Sequence, residues 1–303
     1  MFYCYKAFGF VFHSELEIPE FVNTEGNADI FIQFGKVPNQ LKDPILSGVR
    51  YQIALGKMIL KVDRIAKFLV ENGEKITIEP LANASEEDIR LFLTGSVIGI
   101  IIHQRKDLAL HGSAIKIGEK AVVFSGISGS GKSTLALALM KKGYPVICDD
   151  IARISTTKQN EIVISSGFPQ MKQWVDSLKK LGEEPDQYKK LRTSMEKRAY
   201  QLDKQFISGQ FLVGAVFFLS SHNRLEIEIE PVKGVQKFNL LRNNTYRNKF
   251  MNGIGNFKEH LAICEALSSQ AAMFQIKRPD KGFLIDELVQ AIELTLKNSN
   301  YQL

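Results

Sequence analysis

Apolar and polar positions divide the chain into two regions of different rhythm. Up to about residue 84, short apolar runs (Phe2–Phe12, Ala28–Phe34, Tyr51–Ala54, Met58–Val62, Lys75–Ile78) are broken by the turn signals Gly26-Asn27, Gly35, Gly56 and Asn72-Gly73. Such runs predict a small β-rich domain over 1–84, with Asn72-Gly73 closing a hairpin between Phe68-Leu69-Val70 and Ile76-Thr77-Ile78. The rhythm changes at Ser85-Glu86-Glu87-Asp88, a capping pattern in front of an apolar run. Ile89, Phe92, Leu93, Val97 and Ile101 then follow helical spacing over much of the circumference, which predicts a buried helix.

Beyond residue 107 strands and helices alternate, so 85–303 is expected to be one α/β domain. Strands are predicted around Ile115, at Lys120–Ser125, at Val146–Cys148, around Arg153–Ser155 and at Glu161–Ser165. A helix from Lys132 should end at Gly143, and Met171–Leu181 should form another, closed by Gly182. Phe211–Leu219 and Leu225–Ile229 read as a strand pair. Phe257, Leu261 and Cys264 line one helical face, and Leu284, Ile285, Leu288, Ile292 and Leu296 another.

Composition adds limits. Hydrophobic residues are 45% and charged residues 24% of 303, a globular balance that excludes a disordered chain. Twenty Phe against one Trp suggests aromatic-rich strands in a core. Cys4, Cys148 and Cys264 are widely spaced, which disfavours a disulfide framework or zinc site and suits buried reduced thiols. The opening residues show no signal-peptide pattern. The longest charge-free run, Gln205–Asn223, has only Phe211–Leu219 as a compact apolar part, too short for a membrane span. A soluble cytoplasmic protein is expected. The net charge of +6 suits an anionic ligand and is too small to point to nucleic acid.

The strongest chemical signal is Gly126-Ile127-Ser128-Gly129-Ser130-Gly131-Lys132-Ser133, a full G-x-x-x-x-G-K-[ST] match. Such a match arises by chance in roughly one chain in a hundred of this length. Here it lies between a predicted strand, Ala121–Phe124, and a predicted helix, Leu135–Met140, the arrangement its mechanism needs. Gly126 and Ser128–Thr134 are therefore expected to bind a nucleotide. Backbone N–H groups and the helix N-terminus would cradle phosphates, Lys132 would reach the β/γ-phosphates, and Ser133 would offer its hydroxyl to Mg²⁺.

Tyr144–Cys148 leads into Asp149-Asp150 directly after the loop helix. The next strand of a parallel sheet would bring both carboxylates to the edge that holds the loop. One, assigned here to Asp150, could join Ser133 in holding Mg²⁺ while the other accepts a proton from an attacking hydroxyl. An Asp-Asp turn at a strand end is the competing explanation. His111 opens the strand before the loop strand. A lone histidine is more often structural, but a neighbouring Val146–Cys148 strand would bring it against an aspartate.

Together, His111-Gly112, Gly126–Ser133 and Asp149-Asp150 resemble the catalytic domain of the HPr kinase/phosphorylase family. Order and spacing agree over about residues 107–155. A more distant similarity is to phosphoenolpyruvate carboxykinases. The resemblance implies a P-loop kinase fold and phosphoryl transfer from a nucleotide, ATP or another NTP, to serine with Mg²⁺. It implies that one of Asp149 and Asp150 is the catalytic base, with His111 beside it. The family's G-I-R-G-x-G signature is absent. Tyr5–Gly9, Ser14–Glu20, Gly167–Lys172 and Tyr246-Arg247 are instead similar to a divergent branch encoded beside lasso-peptide biosynthesis proteins. Members of that branch phosphorylate the C-terminal residue, typically serine, of a precursor peptide.

Between Glu230 and Glu259 there is no acidic residue, and Lys233, Lys237, Arg242, Arg247, Lys249 and Lys258 fall inside that window. Arg247, Arg242 and Lys172 are candidate contacts for phosphate or for an acidic peptide end. A second basic cluster, Lys189, Lys190, Arg192, Lys197 and Arg198, is expected on a helical surface. The expectation is an α/β kinase acting on a peptide or small protein with an acceptor serine, without nucleic acid or membrane as partner and with a homo-oligomer left open. An HPr-type protein kinase/phosphorylase and a non-catalytic nucleotide-dependent regulatory protein are the rivals.

Overall fold

A computed structural model describes residues 2–192 and 196–299; Met1 and residues 300–303, the outer ends of the two expected domains, lie outside them. The fold is mixed α/β. The chain divides into two compact units, Met1–Ala109 with Tyr246–Leu261, and Leu110–Thr245 with Ala262–Leu303. The expected boundary at 84/85 falls inside the first unit, just ahead of its helical segment.

The first unit is built on a nine-stranded sheet formed from strands between Tyr3 and Pro80. The apolar run Phe2–Phe12 is two strands, Tyr3–Ala7 and Phe10–Ser14, because Phe8 and Gly9 turn the chain with φ of 53° and 72°. Asn72 and Gly73, with φ of 52° and 68°, close the hairpin between Ala66–Glu71 and Lys75–Pro80. Ser85 caps the helical segment by accepting the Asp88 N–H at 3.1 Å. That segment is interrupted by a π-helical turn, Leu93–Val97, between Glu86–Phe92 and Ile98–Gln104. The chain returns to this unit at Tyr246. His103, whose pKa burial lowers to about 4, donates Nε2–H to the Tyr246 carbonyl at 2.7 Å.

In the second unit an eight-stranded sheet carries helices Lys132–Lys141 and Ile285–Asn298 on one core. Strand Lys120–Gly126 pairs antiparallel with Leu108–Ile117 and parallel with Gln210–His222. Strand Ala272–Pro279 lies beside the latter. The predicted pair of Phe211–Leu219 with Leu225–Ile229 is corrected: Ala272–Pro279 sits between Gln210–His222 and Glu228–Pro231 and bonds to both. Phe124, Phe217 and Phe274 occupy matching register positions on three parallel strands, with ring centroids 5.8 and 5.0 Å apart. Burial of each ring contributes ~1.5–3 kcal/mol and holds the three strands, the loop strand among them, in register.

A smaller sheet joins Gln170–Trp174, Lys197–Gln201 and Lys189–Lys190. Two expectations change here. Met171–Leu181 is not one helix: its first part is a strand, and only Val175–Lys180 is helical. The basic cluster around Lys189 and Lys197 lies on strands of this sheet, not on a helix. Among the described residues no helix is long and apolar enough to cross a membrane. The three cysteines are free thiols, with Cys148 and Cys264 buried.

Candidate functional site

The glycine loop connects strand Lys120–Gly126 to helix Lys132–Lys141, as the sequence predicts. At Gly126 a Cβ would meet the Leu219 carbonyl oxygen at 2.6 Å, so only glycine lets the loop strand end this close to its neighbour. Lys132 is buried and folds back over the loop, donating to the Gly126 and Ile127 carbonyls at 2.9 Å each. Burial lowers its pKa to about 8, against the opposing pull of Asp149 and Asp150. Ser130 Oγ is buried and has no partner among the described residues. A buried hydroxyl without a partner is uncommon and leaves a donor and an acceptor open for a bound group.

Strand Val146–Cys148 pairs antiparallel with Leu108–Ile117. The sheet is thus mixed here rather than parallel. Because the loop strand flanks Leu108–Ile117 in the same antiparallel sense, the aspartate pair still emerges beside the loop. The Ile151 N–H bonds the Asp149 carbonyl at 2.9 Å, a γ-turn centred on Asp150 at φ 70°. This form is rare for a non-glycine residue and costs of order 1–3 kcal/mol.

The turn separates the environments of the two carboxylates. Asp149 is buried and accepts on both oxygens, from Ser113 Oγ at 2.6 Å and from the Lys172 N–H at 2.7 Å. Asp150 is more open and pairs through Oδ2 with Lys172 Nζ at 3.0 Å. His111 Nδ1–H donates to the Asp150 carbonyl at 3.0 Å and lies 3.6 Å from Oδ1. Burial alone would raise the Asp150 pKa, but Lys172 first and His111 next outweigh it and hold it at about 2. The His111 pKa is lowered, by burial foremost and by Lys132 next.

Gly112 explains why a glycine follows this histidine. A Cβ there would meet the Phe124 carbonyl oxygen at 2.7 Å. Gly112→Ala should therefore force the two strands apart, lowering stability by about 1–3 kcal/mol, and thermal denaturation would register it.

One cavity of about 310 Å³ is lined by His111, Ser128–Thr134, Asp149, Asp150 and Lys172. Gly126 lies just behind it in the loop strand. Arg242 and Arg247 are not among its lining residues. Arg242 is exposed on helix Val235–Asn243, and Arg247 belongs to the first unit, where it donates to Ser96 Oγ at 2.9 Å. The acid-free window is thus divided between two bodies. The cavity adds Trp174, Lys180, Arg278 and Phe283, and it draws in Lys197 from the second basic cluster. Arg278 Nε–H donates to the Ser130 carbonyl at 3.1 Å, tying strand Ala272–Pro279 to the loop. No three His, Cys, Asp or Glu side chains form a metal cage among the described residues.

One cavity thus brings together a glycine loop, a buried lysine and two carboxylates, groups with the chemistry to contact an anion or a cation. Residues 104–176 match the family model of the HPr Serine kinase C-terminal domain. The chain is 36% identical over 56 residues to the HPr kinase/phosphorylase of Treponema pallidum strain Nichols, covering 18% of each protein. It is 27% identical over 113 residues to that of Chloroherpeton thalassium, covering 34% of this chain and 33% of the relative. The chain therefore matches less than two thirds of the length of these relatives. The solved Hpr(Ser) kinase/phosphatase from Coxiella burnetii aligns with a TM-score of 0.33 at 14% identity, over 63% of this chain and 94% of that one.

Proposed function

We propose that this protein is a nucleotide- and Mg²⁺-dependent serine kinase of the P-loop, HPr-kinase-like type. The observation that carries the reading is the meeting of Lys132, Ser133, His111, Asp149 and Asp150 in one cavity with the glycine loop. ATP, bound on the loop, supplies the phosphoryl group. Lys132 and the loop amides hold its phosphates. With no protein-only cage among the described residues, a metal ion would depend on Ser133 Oγ, Asp150 and phosphate oxygens, as Mg²⁺ sites with few protein ligands do.

The two aspartates divide the work. Asp150 faces Lys172 Nζ and His111, which favour its ionised form, and as the more open carboxylate it is placed to hold the metal. Asp149 is anchored by two donors and retains further acceptor positions, so a carboxylate oxygen of Asp149 takes the serine proton. His111 positions Asp150 through its carbonyl.

The acceptor we propose is the C-terminal serine of a lasso-peptide precursor, supported by the sequence resemblance of Tyr5–Gly9, Ser14–Glu20, Gly167–Lys172 and Tyr246-Arg247. Free thiols and dependence on ATP suit the cytoplasm. The test is incubation with γ-labelled ATP and Mg²⁺ beside either such a peptide or HPr. Label on the terminal serine supports the reading, and label on HPr alone transfers the assignment to HPr. Transfer to neither points to a regulatory nucleotide-binding protein.

A further inference from the structure

The cavity is lined by a charged group, His111, the aspartates and Lys172, and by an apolar group, Phe283, Leu284, Ile285 and Leu288, which follows Asp280 and Lys281 in the chain. Phe283 and Leu284 are 37% and 36% exposed where they line it. They lie between strand Ala272–Pro279 and helix Ile285–Asn298. Arg278, anchored to the Ser130 carbonyl, fixes where this segment leaves the sheet, beside the glycine loop. From the other side, the Thr134–Ser177 hydroxyl bond of 2.9 Å places helix Val175–Lys180 against the first turn of the loop helix. Lys180 Nζ then reaches to 5.6 Å from the Phe283 ring centroid.

We propose that Phe283, with Leu284 and Lys180, forms the nucleobase subsite, in which a heteroaromatic base stacks on the Phe283 ring. This rests on the reading that the glycine loop binds a triphosphate. With phosphates on the loop, the base needs an apolar surface in the same cavity, and the exposed Phe283 ring is a surface a flat π-system can cover. Trp174, the other exposed ring in the cavity, is two residues along the strand from Lys172 and so belongs to the end where the acceptor enters.

Calorimetric titration with Mg·ATP and with Mg·tripolyphosphate separates base from phosphate. Phe283→Ala should weaken ATP roughly ten- to hundredfold and leave tripolyphosphate affinity unchanged, while Phe283→Tyr keeps ATP affinity. Emission from Trp174, the single tryptophan, checks that each variant is folded around the cavity. Unchanged ATP affinity in Phe283→Ala, an equal loss for both ligands, or equal wild-type affinity for both would overturn the base subsite alone. If wild-type protein binds neither ligand, the triphosphate reading falls and the subsite with it.

Discussion

Replacing Lys132 with methionine is expected to lower kcat/KM for ATP by about a hundred- to thousandfold, the scale for loss of one preorganised charge facing a transferring group. Methionine preserves most of the side-chain volume, so the effect reports the ammonium. Removing that ammonium also leaves the Gly126 and Ile127 carbonyls without their donor, which costs about 1–3 kcal/mol of stability. Thermal denaturation of the variant separates this cost from catalysis. Lys132 also sets a pH dependence. Its pKa is held near 8 in the free protein, chiefly by burial, and a phosphate partner would raise it. Below pH 8 the lysine is charged in both states and affinity is flat. Above pH 8 binding must take up a proton, so ATP affinity should fall about tenfold per pH unit until the bound-state pKa is reached. Lys132→Met should abolish that slope, and a slope that survives in the variant would assign the proton to another group.

What could be read from the sequence was contiguous along it. The glycine loop, the aspartate pair and the His111-Gly112 dipeptide each occupy a few consecutive residues, and strand pairing around Leu108–Ile117 brings them together. Residues recruited across long separations left no local mark. Arg278 is 148 positions from the Ser130 carbonyl that it holds. Ser113 was in view beside His111, yet its bond to Asp149 depends on a strand register that one sequence does not display. Gln170–Trp174 was misread because Met171, Val175 and Leu178 have helical spacing. Its strand alternation was hidden by a polar residue, since Gln173 is 1% exposed and bonds the Ser133 carbonyl. The acid-free window does not map to one body. Composition averages over neighbours in sequence, whereas the chain passes Arg242 and Arg247 to different units. The missing strand Ala272–Pro279 follows from the same limit: its parallel partner, Gln210–His222, lies some fifty residues earlier, so no hairpin turn announces it.

Asparagine at Asp149 and at Asp150 should produce two different defects, although the residues are adjacent. Asp149→Asn keeps the shape that receives Ser113 Oγ but loses basicity. The expected result is a fall in kcat of about a hundred- to ten-thousandfold, the range for a lost general base, with the Mg²⁺ requirement unchanged. Asp150→Asn removes the carboxylate paired with Lys172 and facing His111. It should raise the Mg²⁺ concentration needed for half-maximal rate by about tenfold or more, because a neutral amide is a poor ligand for a hard cation. The loss of one negative charge in the cavity should favour anions, so ATP binding without metal should tighten. Initial rates across a Mg²⁺ series, with equilibrium ATP binding in its absence, measure all three quantities. If the two defects appear with the residues exchanged, the base is Asp150 and the γ-turn serves to expose it. If both variants phosphorylate normally, the carboxylate pair is a structural turn, and the strain at Asp150 must be explained by folding rather than chemistry.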